Sequence, residues 1–283
     1  MSTTSRIARC FSRLHAAGRG GLVTFLTAGD PDPATSAQLL SRLPAAGADV
    51  IELGMPFSDP MADGPAIQMS SLRALRTGQT LRRTLALVAE FRRDDDKTPI
   101  VLMGYYNPIY IYGADAFVRD AREAGVDGLI VVDLPPEEAD ELRLPAEAVG
   151  LDFVFLTAPT TDEDRLPVVL RHAKGFVYYV SITGVTGTAS ARAVDVEASV
   201  ARIRAATDLP IAIGFGIKTA DQVEAMTRIG DAAVVGSALV NEIAAHIDEE
   251  GRPSPDLIEH VTDFVAELAN GVRGRGWDKE TRA

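Results

Sequence analysis

The chain repeats one structural step. AAGADVIELG from Ala45, EAGVDGLIVV from Glu123 and RIGDAAVVGS from Arg228 each read as a helix end, a glycine stop, a short turn holding an aspartate, and a buried strand. A chain that keeps alternating helix and strand lays its strands parallel, because each crossover returns it to the same end of the sheet.

The other apolar runs complete a set of eight strands, near residues 22–26, 50–53, 100–103, 128–132, 153–156, 176–180, 211–214 and 232–235. They are short and almost continuously apolar, as strands covered on both faces must be. Amphipathic stretches at 34–43, 114–123, 162–171 and 220–228 supply helices between them. Eight such units over about 250 residues predict a (β/α)8 TIM barrel. An open doubly wound sheet is the alternative, but no GxGxxG follows the first strand. Ile7, Cys10, Phe11 and Leu14 share one helical face and predict an extra N-terminal helix, and residues 257–268 predict an extra C-terminal one. Residues 2–29, with Arg6, Arg9, Arg13 and Arg19 and no acid, also have a transit-peptide composition; the helical spacing favours the structural helix. The expected organisation is one barrel domain over residues 1–283, with 270–283, including Trp277, as a flexible tail.

Forty acidic against 28 basic residues give a net charge of −12, which argues against nucleic acid or an anionic membrane as partner. A single cysteine, Cys10, excludes an intrachain disulfide and a thiolate metal cluster, and points to a reducing cytoplasm. No apolar run approaches the roughly 20 residues that span a bilayer. The expected ligand is a small molecule or another protein.

Chemistry concentrates after the second strand. Glu52 lies in its apolar run, and LGMPFSDPMADGP follows, too rich in glycine and proline to extend strand or helix, with a second acid at Asp63. A carboxylate in a buried strand is costly unless paired or used. Glu52 is therefore a catalytic candidate at the barrel mouth, or else a core acid paired with an arginine. Asp63 fits an ordinary turn equally well, and Asp59 fits a turn or a helix cap. GFGIKT from Gly214 and VGSALV from Val235 end the last two strands in glycines followed by helix starts, the usual phosphate position in such barrels or simply two tight turns. GVTGT at 184–188 reads as a possible lid. The four histidines fall in or near helices away from the mouth, Lys174 precedes the sixth strand, and Lys218 sits in the phosphate turn, so zinc, histidine-base and Schiff-base mechanisms are disfavoured. Two carboxylates without a metal suit a proton-transfer lyase or isomerase acting on a phosphorylated small molecule.

In order along the chain, FLTAGDPD, IELGMPFSDPMADGPAIQ, LMGYYNPIYIYG, GLIVVDLPPEE, SITGVTG, GFGIKT and VGSALV together resemble the tryptophan synthase alpha chain family, from about Phe11 to Leu268. The resemblance implies cleavage of indole-3-glycerol phosphate to indole and glyceraldehyde 3-phosphate, with the indole ring as electron sink. It also implies Glu52 as acid and base at ring C3 and the glycerol hydroxyl, and Asp63 as acceptor of the indole N–H. Phe25, Tyr105, Ile130 and Leu156 match the indole slot, although strand-end position alone does not separate them from core. Tyr178 matches a tyrosine near the glutamate. Gly187, Gly216, Gly236 and Ser237, with Phe215, match the phosphate site, and Thr186 the lid threonine. Ile182 and Thr183 stand where some relatives carry Arg and Ala. The family further implies no cofactor in this chain, and a pyridoxal phosphate-dependent beta chain docking at Pro56, Asp59, Asn107 and Asp133 in an alpha2beta2 tetramer. Another phosphosugar barrel enzyme, or a catalytically weak subunit that activates a beta partner, are the alternatives.

Overall fold

The structure is a computed structural model that describes residues 5–181, 189–214 and 216–273. Helix α1 (Arg6–Ala16) precedes β1 (Gly21–Thr27), followed by α2 (Pro33–Ala46), β2 (Val50–Gly54), α3 (Pro65–Arg76), α4 (Leu81–Phe91) and β3 (Ile100–Gly104). Next come α5 (Tyr106–Tyr112), α6 (Ala114–Ala124), β4 (Gly128–Val131), α7 (Asp140–Ala148), β5 (Asp152–Phe153) and β6 (Leu156–Thr157). The last part holds α8 (Leu166–Leu170), β7 (Val177–Val180), α9 (Ala189–Arg204), β8 (Ile211–Gly214), α10 (Ala220–Ile229), β9 (Ala232–Val235), α11 (Ser237–Ala245) and α12 (Leu257–Arg273).

All described strand pairings within the sheet are parallel, in the order β5-β4-β3-β2-β1-β9-β8-β7-β6. The two outer members are halves of the fifth strand expected from the sequence. β5 pairs with β4 and β6 with β7; between them Val154 N–H donates to Leu129 O (2.9 Å) and Tyr178 N–H to Phe155 O (3.1 Å). The sheet thus curls round on itself as the expected (β/α)8 barrel.

Alternation along the strands sorts the apolar residues into two clusters. Val23, Val50, Val101, Ile130, Val154 and Phe176 fill the barrel, and α1 closes its lower end with Ile7, Cys10, Phe11 and Leu14. Ile51, Leu53, Leu102, Leu129 and Tyr179 face the surrounding helices. The N-terminal helix is therefore part of the core.

The aspartate of the repeated step also has a physical role. Asp49, Asp127 and Asp231 each accept an N–H at the start of a neighbouring strand, from Leu22 (3.1 Å), Ile100 (2.9 Å) and Ile211 (2.9 Å). Arginines neutralise them from outside: Arg19 on Asp49, Arg6 and Arg92 on Asp127, Arg204 on Asp231. This network stitches the N-terminal face, where barrels invest in stability, and leaves the opposite face for chemistry.

Several boundaries differ from the sequence reading. The helix expected over 162–171 shrinks to α8, because Asp162 caps a turn by accepting the Arg165 N–H (2.8 Å) and Pro167 stands at the helix start. Helix α9 begins at Ala189, directly after the GVTGT segment, and α12 continues to Arg273, into the expected tail. Trp277 lies outside the described residues. No helix among the described residues is long and apolar enough to cross a membrane.

Candidate active site

Glu52 is the third of the five residues of β2, and the strand runs on to Gly54 because Gly54 still pairs in register with Thr27 and Met103. It shares the inward parity of Val50 and is flanked in register by Phe25 on β1 and Val101 on β3. It is 1% exposed, and neither carboxylate oxygen has a hydrogen-bond partner among the described residues. The arginine-paired alternative is thereby removed for those residues. Burial alone pushes its pKa from an ordinary 4.5 up to about 8, so the side chain carries a proton at neutral pH.

Asp63 reaches the same region from the loop after β2. Its backbone N–H donates to Pro60 O (3.1 Å), and the neighbouring Ala62 N–H donates to the hydroxyl of Tyr105 (2.9 Å), at the end of β3. Burial raises the pKa of the half-buried Asp63 carboxyl, and the Tyr105 hydroxyl bonded to it opposes that rise. Tyr178, on the inner face of β7, lies within electrostatic range of both acids: its phenol is pushed up first by burial, then by the charges of Glu52 and Asp63.

Glycines at strand ends make room for these side chains. A Cβ on Gly54 would lie 2.6 Å from Cζ of Phe25, one on Gly104 2.8 Å from Cε of Met55, and one on Gly214 2.9 Å from Oη of Tyr178. The resulting cleft is narrow and is lined by Phe25, Gly54, Met55, Asp63, Ile67, Ser71, Met103, Gly104, Tyr105 and Val132. It is an apolar slot with one carboxylate on its wall and Glu52 two residues below Gly54. Of the four residues matched to an indole slot, Phe25 and Tyr105 line the cleft. Ile130 is wholly buried inside the barrel and Leu156 packs against that cluster, so neither lines it. Met55, Met103 and Val132 were missed, although the last two carry the same strand-end signal. Ile67 and Ser71 come from α3, which has no apolar stripe to announce it: its buried residues are Ser70, Ser71 and Ala74.

Gly236 and Ser237 form the start of α11, whose N-terminus has no side-chain cap, leaving first-turn N–H groups available to an anion. Gly216, after β8, adopts the left-handed φ of +64°. A Cβ on Gly236 would lie 3.6 Å from that of Phe25, so this turn backs directly onto the apolar slot. Thr186, Gly187 and Phe215 lie outside the described residues.

An apolar slot, two acids and an anion-ready turn at one end of a barrel fit a proton-transfer lyase or isomerase acting on a phosphorylated small molecule. The sequence profile of the family described as "Tryptophan synthase alpha chain" matches residues 11–269. The chain belongs to the tryptophan synthase alpha chain family. As a member it is a lyase of tryptophan biosynthesis that cleaves indole-3-glycerol phosphate, and the family's alpha chain uses no cofactor.

Solved structures agree over nearly the whole chain. The tryptophan synthase alpha chain from Legionella pneumophila subsp. pneumophila is similar at 36% identity and a TM-score of 0.87, covering 97% of this chain and 99% of that one. The alpha subunit from L. pneumophila str. Paris is 38% identical with a TM-score of 0.87, covering 96% and 99%. A chain of tryptophan synthase from M. tuberculosis is 33% identical with a TM-score of 0.85, covering 96% and 100%.

The residues matched to the family's docking surface gather at the ends of β2, β3 and β4. Asp59 and Asn107 are exposed and Pro56 is partly so; exposed Asp133 accepts the N–H of Tyr106 (2.8 Å), tying the turn after β4 to the start of α5. Met61, Tyr110 and Ile111 are exposed there too, at 77%, 61% and 77%. Among the described residues no group of three or more His, Cys, Asp or Glu side chains could hold a metal ion.

Proposed function

We propose that Glu52 and Asp63 divide the proton chemistry of a metal-free retro-aldol cleavage. Protonated Glu52 delivers its proton to C3 of the indole ring while Asp63 accepts the proton of the ring nitrogen, giving an indolenine. Glu52, now a carboxylate, takes the proton of the glycerol hydroxyl next to C3. The bond from C3 to that carbon breaks, the hydroxyl carbon becomes the aldehyde of glyceraldehyde 3-phosphate, and the electrons return through the ring to nitrogen, which recovers its proton from Asp63. A placed acid or base contributes about 10²- to 10⁴-fold.

The observation that carries this assignment is the state of Glu52, buried, without a described partner and protonated at neutral pH beneath a slot bordered by a second acid. Phe25, Tyr105 and Tyr178 would hold the ring. Gly216, Gly236 and Ser237, with Gly187 and Phe215, would hold the phosphate, and Thr186 would close over Asp63. The exposed surface around Pro56, Asp59, Asn107 and Asp133 would receive a pyridoxal phosphate-dependent beta chain, two copies of each forming the tetramer. Apolar Met61, Tyr110 and Ile111 in that area support a protein partner. Indole release from indole-3-glycerol phosphate, with and without a beta chain, tests both readings: release supports the lyase, its absence in both conditions overturns it, and failure of the beta chain to co-elute or accelerate release overturns the partner.

A further inference from the structure

Helix α3 begins two residues after Asp63, yet no large apolar residue in it is fully buried. Its buried residues are Ser70, Ser71 and Ala74, while Met69 and Leu72 are exposed. Polar links fasten it to the end of β1. The Ser70 and Thr27 hydroxyls lie 2.6 Å apart, with Ser70 also donating to Ile67 O (2.8 Å). One turn on, Arg73 grips Asp30 with two parallel bonds, Nε to Oδ1 (2.7 Å) and Nη2 to Oδ2 (2.9 Å), where Asp30 is fully buried and Arg73 nearly so. At its other end, the helix holds the loop: the Gln68 side-chain amide donates to the carbonyl of Asp63 (2.8 Å). The N-cap, Gly64, contributes no side-chain bond.

We infer that Asp30, Arg73 and Gln68 form a polar strut running from the C-terminal end of β1 through α3 to the Asp63 carbonyl, and that Arg73 and Gln68 are positioning residues for Asp63. The inference rests on the reading of Asp63 as the acceptor of the ring N–H. A bidentate guanidinium–carboxylate pair fixes direction as well as distance, which a helix lacking an apolar stripe needs. Reacting groups displaced by about 1 Å can lose on the order of 10²-fold in rate, so modest play in α3 would reach the chemistry.

The test is a kinetic double-mutant cycle on the full chain with Arg73→Gln and Gln68→Met, using indole-3-glycerol phosphate. Gln68→Met leaves no buried charge behind, so it remains informative if the Arg73 variant fails to fold. Each single substitution is expected to lower kcat about tenfold or more while KM moves by less than about threefold, the signature of geometry needed only in the transition state. The double variant is expected to be little worse than the poorer single, because both act through one path. Wild-type kcat in folded Gln68→Met, equal losses in kcat and 1/KM, or losses that multiply in the double variant would each overturn the strut. An Asp63→Asn control separates the two readings: if it retains cleavage, the role of Asp63 fails; if it abolishes cleavage while the strut variants are unimpaired, only the strut fails.

Discussion

Replacing Glu52 with Gln should make the protein more stable as pH rises. Folded Glu52 titrates at about 8 because burial disfavours its charge, against an ordinary 4.5 in the unfolded chain. Between those values the folded state holds a proton that the unfolded state has released, so stability is full below 4.5 and is lost as pH climbs to 8. At 1.36 kcal/mol per pKa unit, the total is on the order of 5 kcal/mol. Gln has the shape and neutrality of protonated Glu and does not titrate. Urea unfolding of both proteins, followed by circular dichroism, should show the variant gaining on wild type by about 2.5 kcal/mol between pH 5.5 and 7.5. Shifts from other groups cancel in the difference. A stability difference that stays flat across this range would refute the reasoning that Glu52 is buried and protonated.

The same pKa directions predict a bell-shaped kcat/KM. Activity falls above about pH 8 as Glu52 ionises, and falls on the acid side through the raised pKa of Asp63; a steady-state profile without the alkaline limb would contradict the protonated acid. Asp127→Asn should cost about 3 kcal/mol in urea unfolding, because Arg92 loses its buried partner, while Asp120→Asn, at a surface pair, should leave the unfolding midpoint nearly where it is. Gly214→Ala places a Cβ 2.9 Å from the Tyr178 ring and should lower kcat by about tenfold, read by indole release, as the ring is displaced beside Glu52.

Much of this was legible in the sequence because it follows from periodicity. The glycine–aspartate step marks the αβ unit, and the spacing of Ile7, Cys10, Phe11 and Leu14 marks the plug under the barrel. Glu52 stood out as a charge within an apolar run. What the sequence left dark depends on neighbours far along the chain. Helix α3 buries serine and alanine, so no apolar pattern announced it, and with it went Ile67, Ser71 and the Arg73–Asp30 pair. Ile130 and Leu156 share strand-end positions with Met103 and Val132, but only the curl of the sheet decides which pair lines the cleft. The value of Gly54, Gly104 and Gly214 lies in the side chain each admits, visible once the strands are side by side.

The central claim is that Glu52 performs the proton transfers at ring C3 and the adjacent hydroxyl. Its most direct test is single-turnover cleavage of indole-3-glycerol phosphate by Glu52→Gln, with binding of indole propanol phosphate as a control for an intact site. The account predicts that indole formation falls by at least about 10³-fold while the analogue binds within about threefold of wild type. Cleavage within tenfold of wild type by a folded, analogue-binding variant would contradict it.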